Sequence, residues 1–258
     1  MIELSLEKFS QATLFFDKNT PNSPVVMAVI EGNNPGRIWV DQLENPSICL
    51  VITHGGYSFI GKRGEIKELL ILEIIEILKK NKPIKLIWEL NDPLLGLFEK
   101  AGFTHDDRIQ FYHPAIINHD LTHIDAICKR LPSDCEIKLI DASLLKKSNW
   151  LPFIKQIYGN EANFLKNGYG LALIQNDELI SEAFACYIGG GYVETGSVTS
   201  EKYRGKGYAT IIRAFLIKES LSRNLQPATS CNADNIGSAK ASEKLGFKEE
   251  KRYWFLVI

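Results

Sequence analysis

The chain lacks paired cysteines. Its five cysteines, at positions 49, 128, 135, 186 and 231, are odd in number and scattered, and none belongs to a CxxC motif or a Cys/His cluster. We therefore expect neither a disulfide framework nor a zinc site. His119 and His123 have the i, i+4 spacing of a metal-binding pair, but no third ligand is evident, and we predict no metal.

Long apolar runs are also missing. The longest candidates are interrupted by charge, as between Leu69 and Glu76, and none approaches the ~20 residues that span a bilayer. The N-terminus, Met1 to Leu4, has neither a basic region nor a continuous apolar stretch. These absences predict a cytoplasmic protein without a membrane partner.

Neither sign of charge is in excess. The chain of 258 residues carries 30 basic and 31 acidic side chains, for a formal net charge of -1. This balance argues against a nucleic-acid partner, because proteins that bind nucleic acids usually show a basic surplus. The length leaves room for one large domain or two small ones.

An internal repeat is present. The segment 98–103 reappears as 242–247, each as an amphipathic helix end followed by Gly and Phe, and the strand at 108–111 is echoed at 252–255. Glu99 and Glu243, which correspond, are 144 residues apart. This domain-sized period predicts two related domains, 1–134 and 135–258, with a connecting helix at 120–131.

The order of predicted elements indicates the fold class. Strands are expected at 25–31, 37–41, 48–53, 57–61, 84–90, 136–141, 171–175, 179–188, 192–199, 228–232 and 252–258, with the main helices at 64–80, 208–223 and 236–245. Several strands precede the first strand–helix–strand crossover. We therefore predict an α/β protein whose sheet is mixed, largely antiparallel and flanked by helices.

One glycine-rich loop carries the strongest chemical signal. The strand at 192–199 leads into Arg204-Gly205-Lys206-Gly207-Tyr208-Ala209, which opens a helix. Glycines let a ligand approach the backbone, and the first-turn N–H groups of a helix attract a pyrophosphate. Taken alone the loop is a weak signal, since it matches neither a P-loop nor the GxGxxG fingerprint.

The wider context resembles a known family. The strand–loop–helix unit, followed by Asn235-Ile236-Gly237-Ser238 and Glu243-Lys244-Leu245-Gly246-Phe247, is similar to the GCN5-related N-acetyltransferase (GNAT) family over residues 135–258. The resemblance implies two tandem GNAT-like acyl-CoA N-acyltransferase lobes, the first of them degenerate. The tandem layout, with the segments 32–36 and 39–41, is similar to the zwittermicin A resistance acetyltransferases.

The resemblance implies acetyl-CoA as the co-substrate. Its pyrophosphate would lie on six loop residues, namely Arg204, Gly205, Lys206, Gly207, Tyr208 and Ala209. Its pantetheine arm would lie between the strands 192–199 and 228–232, with Asn235 donating to the arm. Asn235 also fits the N-cap of the following helix, and the two roles are compatible. The turn at 61–64 in the first lobe lacks the strand–RGxGxA spacing, so we expect no second CoA site.

The resemblance also suggests catalytic residues. Glu194 is the candidate base, although a carboxylate on a strand can equally face solvent. A backbone N–H of Ser197, Val198 or Thr199 would polarise the thioester carbonyl. Ser242 stands where many relatives have a tyrosine that protonates the departing thiolate, so no general acid is assigned; solvent or another side chain, such as Tyr208, could serve instead.

The implied activity is transfer of an acetyl group from acetyl-CoA to a primary amine of a small molecule or peptide. A non-catalytic acyl-CoA-binding or regulatory module is the alternative, favoured by Ser242 and the degenerate first lobe. A homodimer is compatible with either function.

Overall fold

The computed structural model describes residues 1–90, 92–114 and 120–258. Its strands are β1 (Ile2–Glu3), β2 (Gly36–Val40), β3 (Ile48–Thr53), β4 (Tyr57–Lys62), β5 (Lys85–Glu89), β6 (Thr104–Tyr112), β7 (Cys135–Leu139), β8 (Gly170–Gln175), β9 (Glu178–Gly189), β10 (Tyr192–Thr199), β11 (Gln226–Asn232) and β12 (Lys248–Val257). They form one sheet in the order β1-β2-β3-β4-β5-β12-β6-β11-β10-β9-β8-β7. The pairs β4–β5 and β10–β11 are parallel, and the other neighbours are antiparallel. The predicted mixed, largely antiparallel sheet is confirmed.

Helices cover both faces of this sheet. They are α1 (Ser23–Ile30), α2 (Glu68–Lys80), α3 (Leu95–Lys100), α4 (Thr122–Cys128), α5 (Ala142–Lys147), α6 (Leu151–Tyr158), α7 (Glu161–Asn167), α8 (Tyr208–Ser222) and α9 (Ile236–Lys244), with 3₁₀ helices at Leu6–Phe15 and Glu201–Tyr203. None of the described helices combines the length and the apolar character that a bilayer crossing requires.

The segment predicted as a strand at 25–31 is instead helix α1, and that prediction was wrong. Pro24 lies in the first turn, where its missing N–H costs no hydrogen bond. Nearly every α1 side chain is buried, so the apolar run shows no amphipathic period. The helix packs closely on β9, where a Cβ on Gly189 would lie 2.3 Å from the backbone nitrogen of Ala28.

The two halves of the chain exchange their last strands. Strand β6, from the first half, lies between β12 and β11, whereas β12, from the second half, lies between β5 and β6. Arg108 of β6 is consequently paired with Asn232 of β11. The proposed division at residue 134 remains a prediction, and the sheet crosses it without a break.

One hydrophobic cluster is shared by both halves. It joins α1 and strands of the first half to α6, β9 and the aromatic side chains of β12, including Tyr253 and Phe255. Two further clusters lie under α2 and α3 in the first half and under α4 and α8 in the second. Because the shared cluster surrounds α1, this helix lies where the two halves meet.

Both parallel strand pairs separate after three residue pairs. In the first half β4 and β5 pair only from Tyr57 to Phe59, and in the second half β10 and β11 pair only from Tyr192 to Glu194. Past these points each pair encloses a wedge-shaped gap. Of the predicted site residues, Glu194 and Ser197 to Thr199 border the gap in the second half, whereas the glycine loop follows β10 and Asn235 follows β11.

Candidate active site

The gap between β10 and β11 begins at Glu194. The register between β10 and β9 shifts at this point, because Cys186 is an extra residue of β9 between the partners of Glu194 and Thr195. The apex is fastened by side chains, since Thr195 Oγ1 donates to the carbonyl of Ala228 (2.9 Å) and Thr229 Oγ1 donates to the carbonyl of Thr195 (3.2 Å).

Beyond this apex, the edge of β10 that faces the gap has no strand partner among the described residues. Ser197, Val198 and Thr199 pair with β9 on the other side only. Along such an edge, backbone N–H and C=O groups of alternate residues point into the gap. Ser197, Val198 and Thr199 therefore lie on this unpaired edge. Donation from one of their backbone N–H groups to the thioester carbonyl remains a prediction.

The glycine loop follows β10 along the chain and presents an open surface. Gly205 and Gly207 have φ of +79° and +84°, and a Cβ added to either would meet no heavy atom within 4 Å. Gly207 is the N-cap of α8 without a side-chain cap bond, and the first turn contains no acidic residue. The loop therefore offers unobstructed backbone amides at the positive end of a helix dipole, which fits a pyrophosphate.

The charged residues of the loop have different environments. Arg204 Nε donates to the carbonyl of Thr199 (3.3 Å), which ties the loop to the end of β10. Lys206 Nζ lies 5.2 Å from the centre of the Tyr203 ring. Tyr208 and Ala209 open α8 behind them.

Beside the loop lies a cavity of about 500 Å³ with a basic lining. Its residues include Lys206, Arg130 and Lys244, with Glu243 as the acidic member. His123 lines it too, and its Nε2 lies 2.6 Å from the carbonyl oxygen of Lys244. The charge of this cavity suits the phosphates of a nucleotide.

Histidine 119, considered above with His123, lies outside the described residues. Within the described ranges no group of three His, Cys, Asp or Glu side chains is arranged to hold a metal ion.

Asn235 caps α9. Its Oδ1 accepts a hydrogen bond from the backbone N–H of Ser238 (3.0 Å). This N-cap role is confirmed, and it leaves the side-chain amide N–H groups available to a ligand. Donation to the CoA arm remains a prediction.

Glu194 is buried, so the solvent-facing alternative was wrong. Only 8% of the residue is exposed. Burial raises the pKa of its carboxyl to about 7, although a hydrogen bond from Ser230 and the charge of Arg108 both oppose the increase. Ser230 Oγ donates to Glu194 Oε1 (2.8 Å), whereas Oε2 is buried without a hydrogen-bond partner among the described residues. A carboxyl with a pKa near neutrality can accept a proton and later release it.

Glu194 lines a cavity of about 130 Å³ that both halves build. Asn22 and Val25 (beginning of α1), Tyr57 (β4) and Arg108 (β6) belong to the first half. The second half contributes Trp150, Phe153, Cys186, Tyr187, Thr195, Gly196 and Ser230. Sequence analysis missed this cavity, because its walls come from chain segments far apart. No local pattern marked Arg108, which follows the polar residues His105, Asp106 and Asp107 in β6.

Ser242, at the position of the expected tyrosine, is buried and engaged. Its Oγ donates to the carbonyl of Ser238 (3.0 Å) and accepts from Nη2 of Arg213 (3.0 Å). Arg213 itself is 6% exposed, and burial lowers its pKa to about 10. Ser242 therefore supports the packing of α8 against α9.

Comparison with known proteins identifies the family. The family model described as GNAT acetyltransferase matches residues 13–256. The chain belongs to the GNAT acetyltransferase family. It is thus an acyl-CoA-dependent N-acyltransferase, and the GNAT fold implies acetyl-CoA as its co-substrate.

Several proteins match this GNAT chain over nearly its whole length. An uncharacterised N-acetyltransferase of Bacillus subtilis (strain 168), YdfB, is 25% identical over 260 residues, covering 97% of this chain and 96% of the relative. A GCN5-related N-acetyltransferase-like protein from Streptococcus suis 89/1591 has a similar fold, with a TM-score of 0.73 at 24% identity over 97% of this chain and 98% of that one. A tandem GNAT protein from the clavulanic acid biosynthesis pathway has a TM-score of 0.61 at 11% identity, over 100% of this chain and 97% of that one. The finer likeness to zwittermicin A resistance enzymes remains a prediction.

Proposed function

We propose that this GNAT protein transfers the acetyl group of acetyl-CoA to the primary amine of a small molecule or peptide, with the chemistry confined to its second half. The observation that carries the proposal is the buried Glu194 carboxyl at the apex of the gap between β10 and β11, with Oε2 unpartnered among the described residues. A buried, polar-lined gap next to a basic loop suits a thioester whose nucleotide end is anionic.

The cofactor-binding residues act mainly through their backbone. The amides around Arg204 to Ala209 bind the pyrophosphate, and the exposed edge of β10 from Ser197 to Thr199 holds the pantetheine arm and polarises the thioester carbonyl. Asn235 donates to the same arm from the start of α9. Acetyl-CoA thereby presents its carbonyl carbon close to Glu194.

Glu194 is the general base. It takes a proton from the ammonium of the acceptor, directly or through a water, because only the neutral amine is nucleophilic. The amine then forms the C–N bond, the C–S bond breaks, and CoA leaves as the thiolate. The second proton lost from the amine nitrogen neutralises this thiolate through solvent, since Ser242 is engaged in packing.

Steady-state release of CoA thiol tests the proposal. Purified protein is given acetyl-CoA and a broad panel of primary amines that includes amino acids, polyamines, amino sugars and short peptides. Release that depends on the amine, together with acetylated product by mass spectrometry, is the expected result. Binding of acetyl-CoA without release for any amine would instead support the non-catalytic module.

A further inference from the structure

Four residues that line the Glu194 cavity each have a buried polar atom without a hydrogen-bond partner in the described part of the chain. The atoms are Oδ1 of Asn22, Nε of Arg108, the hydroxyl oxygen of Tyr187 and Oε2 of Glu194. A buried polar atom without a partner destabilises the fold, and such atoms are rare in native proteins. This concentration at one cavity indicates that a ligand completes hydrogen bonds there.

Arg108 supplies a cationic side to the cavity. Its Nη2 donates to Ser230 Oγ (3.1 Å), its Nη1 donates to Asn232 Oδ1, and its guanidinium lies 4.3 Å from the centre of the Phe255 ring. All three partners are uncharged, and Arg108 forms no ion pair within residues 1–90, 92–114 and 120–258. A half-buried guanidinium whose Nε–H is buried without a partner is suited to a carboxylate oxygen.

The remaining groups suit an ammonium. Glu194 Oε2 and Asn22 Oδ1 are both hydrogen-bond acceptors, and Tyr57, Trp150 and Phe153 add aromatic walls that stabilise a cation. Asn22 is held in the left-handed region (φ 54°), and its backbone N–H donates to Gln110 Oε1 (2.6 Å). This fixed backbone positions the Asn22 side chain before any ligand arrives.

We propose that the acceptor is an amino acid, whose amino group binds at Glu194 and Asn22 while its carboxylate binds Arg108. The inference rests on the proposed function and narrows its acceptor. A cavity of about 130 Å³ encloses only the amino acid head group, so a longer side chain has to extend towards solvent. Arg108 then selects the substrate, and Ser230 connects it to the base.

Matched acceptors test this selection in the wild-type protein. Alanine is compared with alaninamide and ethylamine, and phenylalanine with phenylalaninamide and phenethylamine, at equal concentrations of neutral amine. Each set keeps the amine and changes only the carboxylate. We expect kcat/KM for the amino acid to exceed that for its amide by about tenfold or more, since a charge-assisted hydrogen bond is lost.

Substitutions assign the preference to Arg108. In Arg108→Gln the ratio of amino acid to amide should fall to near one, and Arg108→Lys should retain part of it. Arg252→Gln is the matched control, because Arg252 is an exposed arginine that pairs with Glu249 on β12. Its ratio should equal that of the wild type. Calorimetric titration with acetyl-CoA shows whether each variant is folded.

The outcomes separate this inference from the proposed function. Equal or faster turnover of amides and simple amines, or a preference that survives Arg108→Gln, overturns the amino acid assignment while the acetyltransferase function stands. Turnover of only amino sugars or polyamines would likewise overturn the amino acid assignment and leave the acetyltransferase function in place. Failure of every amine in the broad panel overturns both.

Discussion

The two halves of the molecule share one backbone plan but differ in the gap between their parallel strands. In each half three residue pairs are parallel before the strands separate. The third pair is Phe59 with Ile87 in the first half and Glu194 with Ala228 in the second. The apex that holds an ionisable carboxyl in one half thus holds a buried phenyl ring in the other.

The first gap is also obstructed by its own chain. A Cβ on Gly61 would lie 2.4 Å from Phe15 Cβ and 3.0 Å from Phe16 Cζ, so these two rings occupy the entrance. Beyond them, Lys62 of β4 forms an ion pair with Asp92. A cavity of about 250 Å³ remains, and Asp92 and Glu89 in its lining disfavour a pyrophosphate.

The turns that follow the two gaps have opposite electrostatics. Helix α2 begins with Glu68 in its first turn, whereas the first turn of α8 has no acidic residue. A carboxylate at that end of a helix competes with an anionic ligand for the positive end of the dipole. The comparison shows that a few side chains decide whether the same backbone plan offers a cofactor site.

The largest expected effect comes from paired glycine substitutions. Gly207→Glu should weaken acetyl-CoA binding by about a thousandfold or more, because a carboxylate would occupy the place of the pyrophosphate. Gly64→Glu should leave affinity unchanged. Both glycines have positive φ (+84° and +75°) and open surroundings, so their backbone strain is comparable. Calorimetric titration measures both, and we expect one site per chain in the wild type. A second acetyl-CoA site in the wild type, or weaker acetyl-CoA binding in Gly64→Glu, would contradict the prediction that only the second half binds the cofactor.

Removing the Glu194 carboxyl leaves the second apex, like the first, without an ionisable group. Glu194→Gln should lower kcat by about a hundredfold, with acetyl-CoA affinity nearly unchanged, because only proton transfer is lost. Steady-state kinetics and calorimetry together check this. Glu182→Gln is the control, since Glu182 is another buried glutamate on the neighbouring strand β9. A parallel loss of turnover and affinity in Glu194→Gln would argue against a base.

The substitution Glu194→Gln should also stabilise the folded protein in alkaline solution. Burial raises the pKa of Glu194 from 4.5 to about 7, so the folded protein binds this proton more tightly than the unfolded chain does. Stability from this group is present below pH 4.5 and is lost as the pH rises through 7. Glu194→Gln should therefore exceed the wild type by as much as roughly 3 kcal/mol at pH 8, with no such gain near pH 4. Urea denaturation at the two pH values measures the difference, and an equal effect at both would exclude an ionisation origin.

The smallest effect separates the two roles of Asn235. Asn235→Ala should cost about 1 kcal/mol of stability through the lost cap, and it should weaken acetyl-CoA binding several-fold. Asn235→Ser should restore the cap without restoring affinity. Asn160→Ala removes a comparable cap from α7, where Asn160 Oδ1 accepts from Asn163 N–H (2.8 Å), and should affect stability alone. If all three variants bind acetyl-CoA with the affinity of the wild type, Asn235 acts only as a helix cap.

Local signals predicted much of the fold. Strands at 48–53 and 192–199 match β3 and β10, and helix 208–223 matches α8 to within one residue, because glycines mark their ends: Gly55-Gly56 follows β3, Gly190-Gly191 precedes β10, and Gly205 and Gly207 precede α8. Helix α1 was mistaken for a strand, since a β-branched run that is buried on all sides has no informative period. The glycine loop was predictable because its chemistry is contained in six consecutive residues.

Other features depend on contacts between distant segments. The exchange of β6 and β12 could not be predicted, because the pairing partner of a strand is chosen among surfaces far away in sequence. For the same reason Asn22 and Arg108 were not assigned to the cavity of Glu194. The burial of Glu194 was equally hidden, since the parity of a strand does not reveal which face is covered.

The sequence by itself determined the duplication, the mixed sheet and the loop that follows β10, since each is encoded in a short local pattern. Only the tertiary structure decided that Glu194 is buried with a pKa near 7 and that Arg108 of the first half reaches the second. The physical reason is that desolvation and strand pairing are set by the packing of the whole chain, and that packing brings together residues that no local pattern connects.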